Sequence, residues 1–142
     1  MAKEYKLTRR VRLANRAAAT MARRGRGANW ILTTIGSKTG ERREVVVTPV
    51  EVETVRYLVA PFGPSAWVGN LRANPKATLA RGGASIRVTA VEVEADEAGR
   101  ALAKYYSENA KDVGEYMDVS GDKTITDFVA AADRYPVFRL ET

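Results

Sequence analysis

The stretch Ile31–Val47 reads ILTTIGSKTGERREVVV. Ile31 to Ile35 is rich in β-branched residues and Val45-Val46-Val47 is a second such run, so both read as strand. Between them lies Gly36-Ser37-Lys38-Thr39-Gly40, with Arg42 and Arg43 just after it. Glycine at each end of a loop makes positive φ and close backbone approach cheap. Such a loop clusters backbone N–H groups, and Lys38, Thr39 and Arg43 add cationic and hydroxyl donors. These are the groups that hold an anion, above all a phosphate. An ordinary β-hairpin tip with a solvated basic face accounts for the same residues. The spacing is not that of a P-loop, which needs a Gly-Lys pair behind an earlier glycine. A phosphate site therefore needs support from a second segment.

Strands are predicted over Asn29–Ile35, over a long valine-rich Arg43–Val52 and over Val55–Ala60, the last two joined by a short turn at Glu53-Thr54. Short connections make a meander, hence an antiparallel sheet. The run Val45–Val50 predicts burial on both faces, as in a small barrel. Residues 60–76, APFGPSAWVGNLRANPK, begin as an irregular Gly/Pro loop. Ser65 suits the N-cap of a short helix to about Ala73, and Asn74-Pro75 ends it. Trp67 beside such a loop is either a core plug or a ligand platform. A hairpin about Gly82-Gly83 joins Lys76–Arg81 to Ala84–Glu94. Asp96 is placed as the cap of a helix to about Asn109, followed by a short helix around Val113–Met117 and a stretch capped by Asp122. Tyr135–Leu140 is the closing strand. No repeat or linker interrupts the chain, so residues 1–142 read as one domain, with 1–27 as a basic helical appendage.

The 142 residues, 45% hydrophobic and 28% charged, suit a soluble domain with a real core. A net charge of +6 favours anionic partners such as phosphorylated cofactors, anionic lipid or nucleic acid. Residues 3–24 read as a helix, with Leu7, Val11, Ala14, Ala18 and Met21 at helical spacing among many lysines and arginines. It either packs with a solvated basic face or lies on an anionic surface. No apolar run nears the roughly 18 residues of a membrane span, and the N-terminus lacks a signal-peptide core. A cytoplasmic protein is expected, with peripheral membrane contact through the basic helix left open. The chain has no cysteine and no histidine. That removes disulfides, thiol nucleophiles, Ser-His-Asp triads and nearly all zinc or haem sites. Chemistry must rest on hydroxyls, amines and carboxylates, or on an organic cofactor.

Loops at one end of the expected barrel, Gly36–Gly40, Pro61–Ser65 and residues 110–122, would wall a cleft with a basic end and an apolar aromatic end. That suits a long amphipathic cofactor with an anionic tail and a flat ring. The segments Thr33-Thr34-x-Gly36-x-Lys38-Thr39-Gly40-x-x-Arg43, Tyr57-Leu58-Val59-Ala60-Pro61-Phe62-Gly63 and Trp67-Val68-x-Asn70-Leu71-Arg72-Ala73-Asn74-Pro75 resemble the deazaflavin-dependent nitroreductase family of actinobacteria and relatives. Arg134-Tyr135-Pro136-Val137-Phe138 resembles the family's last strand. The resemblance implies an α+β fold: a small antiparallel split β-barrel of six to seven strands, with an N-terminal helix and helices inserted before the last strand.

It also implies an oxidoreductase that binds coenzyme F420, a 5-deazaflavin with a phospholactyl and oligoglutamate tail. By that resemblance Lys38, Thr39 and Arg43 hold the tail and Ser37 lines the loop. Val45, Val46, Val47 and Thr48 run past the deazaflavin. Ala60, Pro61, Phe62, Gly63, Ala66, Trp67, Val68 and Asn70 complete the pocket. The implied reaction passes a hydride from the reduced deazaflavin to a small electron-poor acceptor: a quinone, an enone or a nitroaromatic. Tyr116 is the candidate proton donor, with Tyr105 and Tyr106 as further candidates. The chain departs from the family in carrying Ser37 where Arg or Lys is frequent and Val46 where proline is common. Its loop between Ala60 and Trp67 is also shorter. Other readings are an FMN-binding split-barrel oxidoreductase, a deazaflavin carrier without turnover, and a nucleic-acid module. The last is disfavoured, because the basic residues lie mainly on one helix with few aromatics.

Overall fold

The computed structural model describes residues 6, 8–25 and 27–142. Lys3 and Leu7 of the expected N-terminal helix lie outside them. The elements run α1 (Arg9–Arg23), β1 (Trp30–Ile35), β2 (Arg42–Val47), β3 (Val50–Val52), β4 (Val55–Val59), α2 (Ala66–Ala73), β5 (Lys76–Arg81), β6 (Ala84–Glu92), α3 (Ala95–Val113), α4 (Ile125–Ala131) and β7 (Val137–Glu141). The paired strands are antiparallel. The α+β class with an N-terminal helix and helices ahead of the last strand holds. The chain divides into two compact units, interleaved in sequence.

The first unit comprises Lys6–Pro49 and Ala66–Ala90, with Glu141–Thr142. Its strands lie in the order β2-β1-β5-β6. β1 is interior, paired with β2 from Trp30↔Val47 to Ile35↔Arg42 and with β5 from Ile31↔Ala80 to Thr33↔Thr78. Leu32, Val68, Leu71 and Leu79 are fully buried beside Ile31 and Val88. β2 is an edge strand, so Val45, Val46 and Val47 are half-buried, not enclosed on both faces as expected. The expected long strand Arg43–Val52 is two strands. Pro49 has no N–H to give a ladder, and the chain leaves β2 there. Thr8 caps α1 by accepting from Val11 N at 3.2 Å. Ala22 anchors the other end of the helix: it is buried, and its carbonyl accepts from Gly82 N. Gly25 has φ +70°, and a Cβ on it would stand 3.3 Å from Gly82 Cα. The remainder of α1 is largely exposed, including Leu13 at 57% and Met21 at 45%.

The second unit comprises Val50–Ser65 and Val91–Leu140. β4 pairs with β3 on one side and β7 on the other. The β3–β4 turn holds Glu53 and Thr54 at φ 51° and 71°. That is the doubly left-handed geometry of a two-residue hairpin, here without glycine. Val59, Leu102, Tyr105, Phe128, Tyr135 and Val137 form the centre of its core. Glu94, not Asp96, stands at the N-cap of α3, and Asp96 and Glu97 lie in the first turn, where the helix dipole favours carboxylates. The expected end at Asn109 is a kink with φ −126°, and the helix resumes to Val113. The expected helix around Val113–Met117 is a turn instead. α4 is capped by Thr124, whose side chain accepts from Asp127 N while the Asp127 carboxylate accepts from Thr124 N. Thr124, not the expected Asp122, is thus the cap.

Candidate cofactor site

In the first unit the Gly36–Gly40 loop is closed from within. Gly36 N donates to Glu41 O at 2.7 Å, and Gly40 N donates to Gly36 O at 2.9 Å. Glu41 N donates to Thr39 Oγ1. A Cβ on Gly36 would meet Thr39 Oγ1 at 2.9 Å, so the loop's tightness requires glycine there. Ser37 N donates to Asn70 Oδ1 at 3.0 Å. Three of the amides expected to meet an anion are thus spent inside the protein. Lys38 and Thr39 stand exposed at the tip, beside Ser37.

Arg43 emerges from β2 directly opposite Thr34 of β1. Its Nη2 pairs with Glu41 Oε2 at 3.3 Å, both side chains more than half exposed. A pair so exposed is worth little, so an arriving anion can replace the carboxylate. Strand alternation puts Arg43, Val45 and Val47 on one face with Thr34, Leu32 and Trp30, and Glu44 and Val46 on the other. Arg23 of α1 reaches Glu44 at 3.0 Å, so Val46 shares its face with α1. Thr48 Oγ1 donates to Asn29 Oδ1 at 2.8 Å and is already engaged. On α2, Ala66 is exposed and Trp67 half-buried. Val68 has no exposed surface and belongs to the core. Asn70, expected to contact the cofactor, is 6% exposed, and its amide is occupied at both ends. Oδ1 accepts from Ser37, and Nδ2 donates to Thr34 Oγ1 at 3.1 Å.

The second unit carries the other expected residues. Ala60 is buried, and its N–H donates to Pro136 O. Gly63 has φ +87° and donates to Ala60 O, closing a turn that turns Phe62 outward at 41% exposure. The Tyr116 ring meets Phe62 edge-on, 5.2 Å between centroids and 86° between planes. Among the three candidate tyrosines, Tyr105 is buried, and desolvation, then the Asp112 charge, push its phenol up to about 12. Tyr106 packs on Phe128 at 5.5 Å. Tyr116 is therefore the one of the three in ring contact with an exposed aromatic.

A polar network in this unit was not anticipated. Tyr57 Oη donates to Glu97 Oε2 at 2.7 Å, and Arg139 Nη1 donates to both oxygens of the same carboxylate at 2.8 and 2.9 Å. The partners lie 40 and 42 residues apart, so no spacing signal could reveal them. The network borders an open cleft of about 390 Å3 lined by Val52, Val55, Glu53, Asp96 and Arg100.

The residues present fit a cofactor with an anionic tail. The first unit offers a closed, glycine-tight loop with a lysine at its tip, an arginine whose present partner is exposed, and a half-buried valine face on the arginine's side. The family described as F420H(2)-dependent quinone reductase matches residues 6–131. Comparison with the curated proteins finds no match. A solved F420-H2 dependent reductase (FDR-A) is 24% identical with a TM-score of 0.57, the alignment covering 80% of this chain and 94% of that one. A putative 5-nitroimidazole antibiotic resistance protein from Bacteroides thetaiotaomicron is 14% identical with a TM-score of 0.56, covering 90% and 77%. A putative pyridoxamine 5'-phosphate oxidase from Listeria innocua is 10% identical with a TM-score of 0.54, covering 91% and 92%. These three are likenesses of fold, and they agree with the split β-barrel class expected from the sequence.

Proposed function

We propose, for a chain that belongs to the F420H(2)-dependent quinone reductase family, that Lys38 and Arg43 hold the cofactor's anionic tail and that Phe62 and Tyr116 face the acceptor. The chain is an F420-dependent oxidoreductase acting on a small quinone-type molecule. When bound and reduced, the deazaflavin supplies the hydride. The protein's tasks are to bind, orient and protonate, and none of them needs a histidine or a cysteine. Lys38, at the exposed tip, meets the tail as a point charge, with the Thr39 and Ser37 hydroxyls beside it. Arg43 exchanges Glu41 for the tail and can grip it with two parallel N–H donors. Val45 and Val47, on the Arg43 face, offer apolar surface to the ring, as does Trp67. Phe62 gives a flat acceptor an aromatic edge, and the Tyr116 hydroxyl donates the proton that completes reduction.

One observation carries the tail-binding part. The loop spends the Gly36, Ser37 and Gly40 amides internally, so it is a fixed mount whose exposed tip is cationic. Titration with coenzyme F420, followed by quenching of tryptophan fluorescence with FMN in parallel, tests it. Binding of F420 is expected, with Lys38→Ala and Arg43→Ala each weakening it by about tenfold. Unchanged affinity in both variants would remove the loop from the site.

A further inference from the structure

We propose that Asn70 is a positioning residue that sets both cationic mounts of the tail site, and does not itself touch the ligand; this rests on the reading of Lys38 and Arg43 above. Its side chain sits between two segments. Oδ1 accepts from the N–H of Ser37, the residue before Lys38, and Nδ2 donates to Oγ1 of Thr34, the cross-strand partner of Arg43. Asn70 is 6% exposed and Thr34 is 1% exposed, so their bond is shielded from water, and the bond from Ser37 N is part-buried.

The chemistry selects an amide. One partner is a donor and the other is used as an acceptor, so the side chain must present a carbonyl and an N–H from the same atom centre. Reversing the amide would set its NH2 against the Ser37 N–H and leave both donors unsatisfied. The orientation is thereby fixed, and so is the plane of the Ser37 peptide that leads into Lys38. α2 brings the amide there because Val68 and Leu71 on the same helix are locked in the core. Without Asn70 the loop keeps its internal Gly36–Glu41 and Gly40–Gly36 bonds but loses its tie to the helix. Lys38 and Arg43 would remain present yet poorly placed.

The test compares coenzyme F420 with the same deazaflavin riboside lacking the phospholactyl-glutamate tail, both by fluorescence titration. Wild type should bind the full cofactor more tightly than the riboside; equal affinities would overturn the tail-site reading and, with it, the role of Asn70. Given that difference, Asn70→Ala should weaken F420 binding about tenfold or more and leave the riboside within about twofold, so that the two affinities converge. Hydrogen exchange at the Ser37 amide, measured on the protein without cofactor, should speed up in the same variant. Equal weakening of both ligands, or no weakening with an unprotected Ser37, would overturn the proposal. Should Asn70→Ala fail to fold, Thr34→Val removes the acceptor that orients the amide while keeping the β-branched shape. It should show the same selective loss for F420, and indifference to the tail would count against Asn70.

Discussion

Tyr116 and Phe62 illustrate how little a residue's identity says until its neighbour is known. Phe62 alone is an exposed aromatic on a Gly/Pro loop. With the Tyr116 ring edge-on at 5.2 Å, it becomes half of an aromatic pair with a phenol at its rim. Tyr116→Phe keeps the ring and its contact with Phe62 and removes the hydroxyl. Turnover of a quinone acceptor should fall by about a hundredfold with acceptor KM little changed, as expected for loss of a positioned proton donor. Unaltered turnover would assign the proton to water. Asn70 makes the complementary point: a residue that looked like a ligand contact is buried, with both of its polar ends engaged.

At the scale of elements, the β3–β4 hairpin carries a local conflict. Its two turn residues both adopt φ > 0, and one of them, Thr54, is β-branched. A left-handed conformation costs roughly 1–2 kcal/mol for an ordinary residue, whereas Asn-Gly adopts this turn readily. The double variant Glu53→Asn/Thr54→Gly should therefore raise stability by about 1 kcal/mol after the greater unfolded-state freedom of glycine is deducted. The urea midpoint measures it, and a lower midpoint would mean that the exposed Glu53–Arg100 pair, at 4.0 Å, matters more than backbone strain. The helix caps are local as well, but they are not the expected Asp96 and Asp122. Thr8 and Thr124 each accept an amide at a helix start, and Asp127 completes the box at α4.

For the molecule as a whole, pH and salt are the levers. The net charge of +6 on a chain without histidine leaves carboxylates as the groups that titrate on the acid side. Glu97 stands below the ordinary carboxylate range, first through the hydrogen bond from Tyr57 and then through that from Arg139. Its folded value being depressed, its stabilisation is present above the ordinary range and disappears as pH falls through the lowered value. Tyr57 runs the other way. Burial, then the hydrogen bond to Glu97, push its phenol up to about 12, so its contribution stands at neutral pH and fades as pH climbs toward that value. Wild type should exceed Glu97→Gln in urea midpoint at neutral pH, and the gap should close as pH falls from the ordinary carboxylate range through the lowered folded value. Parallel curves would show that the carboxylate's charge contributes nothing.

What the sequence by itself determined was local. Two glycines framing Ser37-Lys38-Thr39, β-branched runs on either side, Asn74-Pro75 after α2 and the Gly82-Gly83 hairpin each act over a few residues, and each appears where it was read. The lack of histidine and cysteine likewise settled which chemistries the chain could not perform. Tertiary structure alone decided the rest. It made β2 an edge strand, so that three valines read as core are half-exposed. It spent the loop's amides on the protein itself, it set Phe62 against Tyr116, and it joined Tyr57, Glu97 and Arg139. The reason is physical. A hydrogen bond or a ring contact depends on distance and angle in space, and Asn70 meets Ser37 and Thr34 across 33 and 36 residues of chain. Asparagine has the same propensities whether it faces water or a buried pair of partners, so its role could be read only after the chain had folded.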